Sequence, residues 1–395
     1  MDIQFTDEEV AFREEIQQFL RDELPEDWDP LNQGSPHSPE QLPFTKAMAD
    51  KLADKGWLTL AWPEEYGGQA RSIMEQTVYR EEMTYWGVPG TDLGTGAIGW
   101  VGPVLMISGT EEQKSEHLPP IANAERYWCT LYSEPGSGSD LASLQTSAVR
   151  DGDDYIINGQ KIWTSSGHIA DWGWLAARTD PDAPKHRGIS LFMLDMKSQG
   201  VTVRPIVNMA GSHEFNEVYF DNVRVPKGNL VGEENRGWYT LAVALDFERS
   251  GVGYSASARR TLETLVKYAK ETERNGKPLS EDPIVRHKLA ERKIEIEVSR
   301  WLSYQVAWMQ SQDMVPNAEA SMSKLFGTEL TQKVALTGMD ILGMTGQLSK
   351  GSKWAPLQGY IQRLSLSSVS STIAAGTSEI QRDIIARRGL GLPRA

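Results

Sequence analysis

The sequence predicts an α+β fold: a helical N-terminal domain, a central antiparallel β domain and a helical C-terminal domain. Three observations carry this. Apolar residues recur at helical spacing before about residue 125 and again after about residue 232. Between them lie short β-branched and aromatic runs punctuated by Asp-Gly and Asn-Gly. At 395 residues, with 39% hydrophobic and 24% charged content, the chain is long for a single core but ordinary for a globular protein. The expected domain limits are 1–125, 126–232 and 233–395.

The first helix starts at residues 5–10. Thr6 can cap it, Glu9 stands three residues on as in a capping box, and Phe5 is placed to staple to Val10. Phe12, Ile16, Phe19 and Leu20 then share one helical face. Residues 25–43 form a polar, proline-rich surface loop. Helical patterns resume at 44–55 and 73–83, separated by the turn-rich AWPEEYGGQ. The run GTGAIG at 94–99 fits GxGxxG letter for letter. A dinucleotide fold needs a strand before that motif, and the preceding TYWGVPGTDL has no β-branched run. Small residues there are read as close helix packing or room for a substrate tail.

From about Arg126 the period changes. Strands are expected at 146–149, 155–157, 161–163, 174–177, 189–194, 201–203, 218–220 and 223–225. Asp151-Gly152 and Asn158-Gly159 are read as hairpin turns. Helix returns after Pro226 and the turn-rich KGNLVGEENRGW: one long pattern over 238–273, then 284–312, 316–342 and 380–388. Trp301, Tyr304 and Trp308, three and four apart, read as a core stripe.

Composition excludes several functions. A formal charge of −14 opposes a nucleic-acid surface while leaving room for a local basic pocket. No apolar run approaches the ~20 residues that span a bilayer. The start MDIQFTDEEV carries no h-region or Arg-rich presequence, and the single Cys129 fits a reducing compartment, so a cytoplasmic location is expected. The six histidines are scattered, with no HxxxH or CxxC pair and no G-x-x-x-x-G-K-[ST], so no metal site is expected.

The chemistry concentrates in CTLYSEPGSGSD at 129–140 and NGQKIWTSSGHIAD at 158–171. The first, rich in glycine and serine, can turn tightly enough to point N–H groups at a ligand's oxygens. The second offers an indole and a hydroxyl to something planar. Together with GTSEIQRDIIARRGLGLP at the end, these stretches resemble the acyl-CoA dehydrogenase family in order and spacing, and the resemblance covers nearly the whole chain. It implies that the C-terminal domain is a four-helix bundle and that the cofactor is FAD. By it, Thr130 and Ser133 lie along the flavin's pyrimidine edge, Trp163 covers a ring face, and Ser165 sits near N5. Thr377 and Glu379 lie near the cofactor, and Ser139 borders the thioester. The implied reaction is α,β-dehydrogenation of an acyl-CoA in lipid or acid catabolism, with an electron-transfer flavoprotein as acceptor.

The sequence departs from the family twice. Many members carry their base just before a Gly-Thr pair, where this chain has Ala375, which keeps only a backbone N–H for the thioester oxygen. A minority place the base on the helix that follows the β domain, which here points to Glu248, with Arg249 matching an arginine on the CoA side. The residues that reach a neighbouring subunit's FAD are also replaced: Thr272 and Asn275 precede Gly276-Lys277. Arg274 and Gln347 are candidate substitutes. The assembly is accordingly expected to be a homotetramer or an α2β2 heterotetramer whose partner completes the cofactor site. A flavin monooxygenase or oxidase on the same fold is the other enzymatic reading.

Overall fold

The computed structural model describes residues 4–31, 33–244 and 251–393. Helices α1 (Asp7–Glu23), α2 (Leu42–Asp54), α3 (Ile73–Tyr85), α4 (Gly102–Ser108) and α5 (Glu111–Ala122) come first. Strands β1 (Trp128–Leu131), β2 (Ser147–Asp151), β3 (Asp154–Lys161), β4 (Trp172–Arg178), β5 (Ile189–Asp195), β6 (Val201–Val207), β7 (His213–Pro226) and β8 (Leu230–Val231) follow. Then come α6 (Gly237–Ala244), α7 (Val252–Glu271), the short hairpin β9 (Glu273–Arg274) and β10 (Lys277–Pro278), α8 (Pro283–Ser311), α9 (Asn317–Leu342), α10 (Tyr360–Ser371) and α11 (Ser378–Ile384). The order of helices, mostly antiparallel sheet, and helices is the expected fold class. Among the described residues no helix is long and apolar enough to cross a membrane.

The chain divides into two compact units. Met1–Gln33, Arg71–Val88 and Arg249–Ala395 form a helical unit; Gly34–Ala70 and Pro89–Glu248 form a unit built on the sheet.

In the sheet unit the strand order is β6-β7-β3-β2-β4-β5-β8, and β1 pairs with β4 in parallel while most neighbours run antiparallel. One face buries Leu131, Ile157, Leu175, Phe192, Val218 and Val223 in a single cluster. The Asp151-Gly152 turn forms as expected, with Asp151 opposite Asp154 and Gly152 at φ +65°. Asn158-Gly159 is not a hairpin. It is an irregularity inside β3, where pairing with β7 shifts between Ile157 and Gly159. Gly159, at φ +149°, passes so near Thr146 that a Cβ would lie 2.8 Å from its Cα, so the glycine serves a close backbone approach rather than a reversal. The runs at 218–220 and 223–225 likewise belong to one strand, β7. The GTGAIG run follows no strand; Gly94 lies against the Trp128 carbonyl and Gly96 is left-handed, opening a π-helical turn over Ala97–Val101.

In the helical unit α1 begins with the expected capping box of Thr6 and Glu9, and Phe12, Ile16, Phe19 and Leu20 are buried. The staple does not form: Phe5 packs edge-on to Tyr304 at 5.6 Å, and Val10 is 45% exposed. Within the pattern over 238–273 the described residues give α6 and α7, and Gly251, at φ +67°, is the left-handed residue from which α7 starts. The stripe on α8 is mixed, with Tyr304 buried but Trp301 53% exposed. The serine-rich α10 lies outside the expected helices; Tyr360 and Ile361 join it to Leu265, Leu330 and Val334 in the unit's core.

Glu81 on α3 ties this unit together. Its side chain is 1% exposed and takes Arg300 Nε at 2.7 Å, Arg13 Nη2 at 2.8 Å and the Tyr304 hydroxyl at 2.7 Å. Burial pushes its carboxyl up, but the hydrogen bond and charge of Arg300 and the charge of Arg13 outweigh that and hold it below its usual value. Stability from this group is therefore present above the unfolded carboxyl's pKa of 4.5 and lost as pH falls through the lower folded value. We expect Glu81→Gln to lower unfolding free energy by about 3 kcal/mol at pH 7 in urea titrations, because it leaves Arg300 without a carboxylate and Arg13 with Glu82 alone. The gap to wild type should narrow as the pH is taken below that of an ordinary carboxyl. An unchanged midpoint at pH 7 would show that the network contributes nothing.

Candidate active site

In the sheet unit the two motif stretches meet through a buried ion pair. Lys161, at the end of β3, is fully buried, and its Nζ donates to Glu134 at 2.8 Å and to the Tyr132 carbonyl at 2.9 Å. Glu134 also accepts from the backbone N–H groups of Gln145 and Thr146, at 2.6 and 2.8 Å. Burial lowers the Lys161 ammonium more than Glu134 raises it, leaving it at about 8, so it is charged at pH 7. Burial raises the Glu134 carboxyl, but Lys161 and the N–H donors outweigh it and keep it ionised. The Ile162 N–H, bonded to the Ser133 carbonyl at 2.9 Å, adds a backbone stitch beside the pair.

This clamp joins the two stretches that carry the sheet unit's candidate residues. Past Lys161 the chain turns outward at Trp163, which holds φ +61° and leaves its indole 57% exposed, edge-on to Phe215. Ser166 is also left-handed, at φ +62°. Thr130, Ser133 and Ser165 are half-buried and Ser139 is exposed. Among the described residues, the hydroxyls of Thr130, Ser133 and Ser165 have no hydrogen-bond partner in the chain. Nothing lies within 4 Å of where a Cβ on Gly136 or Gly138 would stand. An exposed indole, unpaired hydroxyls and open space beside a glycine turn suit a flat ligand with a polar edge.

The C-terminal candidates belong to the helical unit. Ala375 is exposed at φ +52°, followed by Gly376 at φ +86°. Thr377 caps α11 by accepting from the Ile380 N–H at 3.2 Å. Glu379 is exposed, and its own N–H and the Thr377 hydroxyl hold its carboxyl below the usual range. Lys324 on α9 fastens this turn by donating to the carbonyls of Gly376 at 2.7 Å and Ser371 at 3.1 Å; no sequence motif had marked it. Arg274 is engaged locally, its Nη2 donating to the Ile341 carbonyl at 3.0 Å. Glu248 and Arg249 lie outside the described residues.

Sequence reading also missed a histidine cluster. His168 and His213 stack with ring centroids 4.1 Å apart, and His37 Nδ1 lies 2.9 Å from the Ser166 hydroxyl. These residues lie far apart in the chain, so only pairing of β7 against the Trp163 turn could have revealed them. No group of described residues is arranged to hold a metal ion.

Three family descriptions match in sequence order: the acyl-CoA dehydrogenase N-terminal domain over residues 6–125, its middle domain over 129–223 and its C-terminal domain over 235–390. The chain belongs to the acyl-CoA dehydrogenase family. Relatives agree. Acyl-CoA dehydrogenase FadE26 of Mycobacterium tuberculosis is 41% identical across 87% of each chain, and FadE29 of the same organism is 34% identical across 100% of this chain and 99% of its own. Among solved structures, the Tcur3481-Tcur3483 steroid ACAD superposes with a TM-score of 0.89 at 37% identity, covering 100% of both chains. The ChsE4-ChsE5 complex of Mycobacterium tuberculosis gives 0.89 at 36%, again covering 100% of both. This acyl-CoA dehydrogenase is thus an oxidoreductase of a flavoprotein family, and the Trp163 surface has the donors and aromatic face that a flavin would need.

If the clamp orders that surface, Lys161→Met should lower unfolding free energy by about 3 kcal/mol by leaving Glu134 buried without its counter-charge. Adding Glu134→Gln should recover part of that loss in the same urea titrations. Equal stability of Lys161→Met and wild type would mean that the pair does not hold the two stretches together.

Proposed function

We propose that this acyl-CoA dehydrogenase binds FAD against Thr130, Ser133, Trp163 and Ser165 and carries out α,β-dehydrogenation of an acyl-CoA thioester, with Glu248 as the base. The observation that carries the reading is the exposed Trp163 indole, held at a strained φ and flanked by hydroxyls without partners. A bound flavin supplies the hydride acceptor that no side chain can provide. By the family resemblance, Thr130 and Ser133 would hold its pyrimidine edge, Trp163 would shield one face from water, and Ser165 would lie near N5. Thr377, the N-cap of α11, and Glu379 in its first turn would add contacts by the same resemblance.

Glu248 takes the proton from the carbon α to the thioester. The support is indirect: Ala375 occupies the usual base position and has no side chain that can accept a proton. Its backbone N–H serves instead to polarise the thioester oxygen, favouring charge that develops as the α-carbon is deprotonated. Arg249 and Ser139 contact the CoA ester. Exclusion of water by bound substrate raises the base toward a working pKa. Electrons then leave to an electron-transfer flavoprotein.

The replaced residues around Gly276-Lys277 favour a second feature, a heteromeric assembly in which a partner chain completes the adenine–pyrophosphate end. Asn275 and Gly276, at φ +55° and +74°, form the tight turn between β9 and β10, and Arg274 is already bonded to Ile341. The similar structures named for two components support a heteromeric assembly, such as an α2β2 heterotetramer, over a homomeric one.

Glu248→Gln should keep FAD content and acyl-CoA binding while slowing flavin reduction by substrate about a thousandfold in anaerobic stopped flow. Reduction at the wild-type rate would move the base elsewhere. Trp163→Ala should instead purify with less FAD, and an unchanged flavin-to-protein ratio would remove Trp163 from the site.

A further inference from the structure

Asn216 on β7 is wholly buried and touches the turn that presents Trp163 and Ser165 from three directions. Its backbone exchanges both hydrogen bonds with Thr164, each 3.0 Å. Its Nδ2 donates to the Thr164 carbonyl at 3.0 Å and lies 3.2 Å from His168 Nδ1; its Oδ1 lies 2.8 Å from His213 Nε2.

The chemistry of the amide fixes the protons on both rings. The Thr164 carbonyl can only accept, so the NH2 end of Asn216 must face it and, with it, His168 Nδ1. That nitrogen must then be a lone pair, which requires His168 to be neutral. The oxygen end faces His213, whose Nε2 must carry a hydrogen. A proton added at His168 Nδ1 would set donor against donor. Rotating the amide to relieve it would aim an oxygen at the Thr164 carbonyl. The arrangement therefore has one state that satisfies every partner, and a second proton on His168 breaks it.

We propose that Asn216 is the positioning residue for the Trp163–Ser165 turn and that it holds the turn only while His168 is neutral. The inference rests on the reading that this turn faces the flavin. The titratable groups around His168 are His213 on β7 and His37 from the loop before α2, which reaches the Ser166 hydroxyl; Thr95 Oγ1 lies 3.4 Å from that same hydroxyl. No carboxylate among the described residues forms a hydrogen bond or ion pair with the three rings. Burial and then the neighbouring His213 lower the His168 pKa, and burial and then His168 lower that of His37. Both folded values thus lie below the usual 6.5, and the ordered arrangement is complete above 6.5 and lost as pH falls through them.

The test uses the full chain labelled with 5-fluorotryptophan, with the Trp163 resonance assigned by its loss in Trp163→Phe, and FAD affinity measured on the same samples. Wild type should show one Trp163 environment at pH 7.5 and a second growing as the pH falls below 6.5, with FAD affinity falling about tenfold in step. His168→Gln offers Asn216 an acceptor that cannot be protonated there, so its Trp163 resonance should stay in the neutral-pH position throughout. Asn216→Ala should show the displaced resonance already at pH 7.5. A wild-type pH transition that persists unaltered in His168→Gln, or a Trp163 resonance that never moves with pH, overturns the proposal. If Asn216→Ala fails to fold, the His168→Gln comparison decides alone. Failure to bind FAD at any pH, with the Trp163 transition present and abolished in His168→Gln, would support the positioning role and sink the flavin reading.

Discussion

The candidate site depends on one buried contact, the 2.8 Å ion pair between Lys161 and Glu134. Burying two charges is unfavourable unless each is well partnered, and here each has more than one partner. The ammonium meets a carboxylate and a carbonyl, and the carboxylate meets two backbone N–H groups besides. Because the partners sit in stretches 27 residues apart, the pair fastens two turns that are distant in sequence to each other. What such an arrangement secures over an apolar contact is direction. A charged anchor with several fixed partners has one satisfied geometry, and a ligand surface needs that more than it needs extra stability.

The same logic of full satisfaction recurs in both units. Glu81 collects two arginines and a tyrosine hydroxyl in the helical unit. Asn216 spends its amide on a carbonyl and two imidazoles beneath the Trp163 turn. Of the eleven non-glycine residues at positive φ among the described residues, Trp163, Ser166 and Ala375 fall in or beside the candidate stretches, a cost sustained where surrounding bonds fix the backbone.

Much of this was legible in the sequence, for identifiable reasons. The capping box of Thr6 and Glu9 is a local signal and formed as read. Long amphipathic patterns on α8 and α9 were found within a residue or so of their ends, since tertiary packing agrees with their period. Failures came where a local signal had a non-local use. Asn158-Gly159 looks like a turn, but the glycine is needed for close approach to Thr146. Gly251 stands left-handed at the start of α7 inside an unbroken apolar pattern, and serine-rich α10 is anchored by Tyr360 and Ile361 in the unit's core. Within the site, the motif residues could be read from the family's order. Lys161 as an anchor, Lys324 behind the Ala375 turn and the histidines around Asn216 could not, because their partners are distant in sequence.

The account stands on the claim that the surface clamped by Lys161 and Glu134 is where a flavin lies. A crystal structure of the protein purified with its flavin tests this most directly. The account predicts the isoalloxazine against the Trp163 indole, its pyrimidine edge bonded to Thr130 and Ser133, and its N5 beside Ser165. A flavin bound elsewhere on the chain, with the Trp163 surface left to solvent, would contradict it.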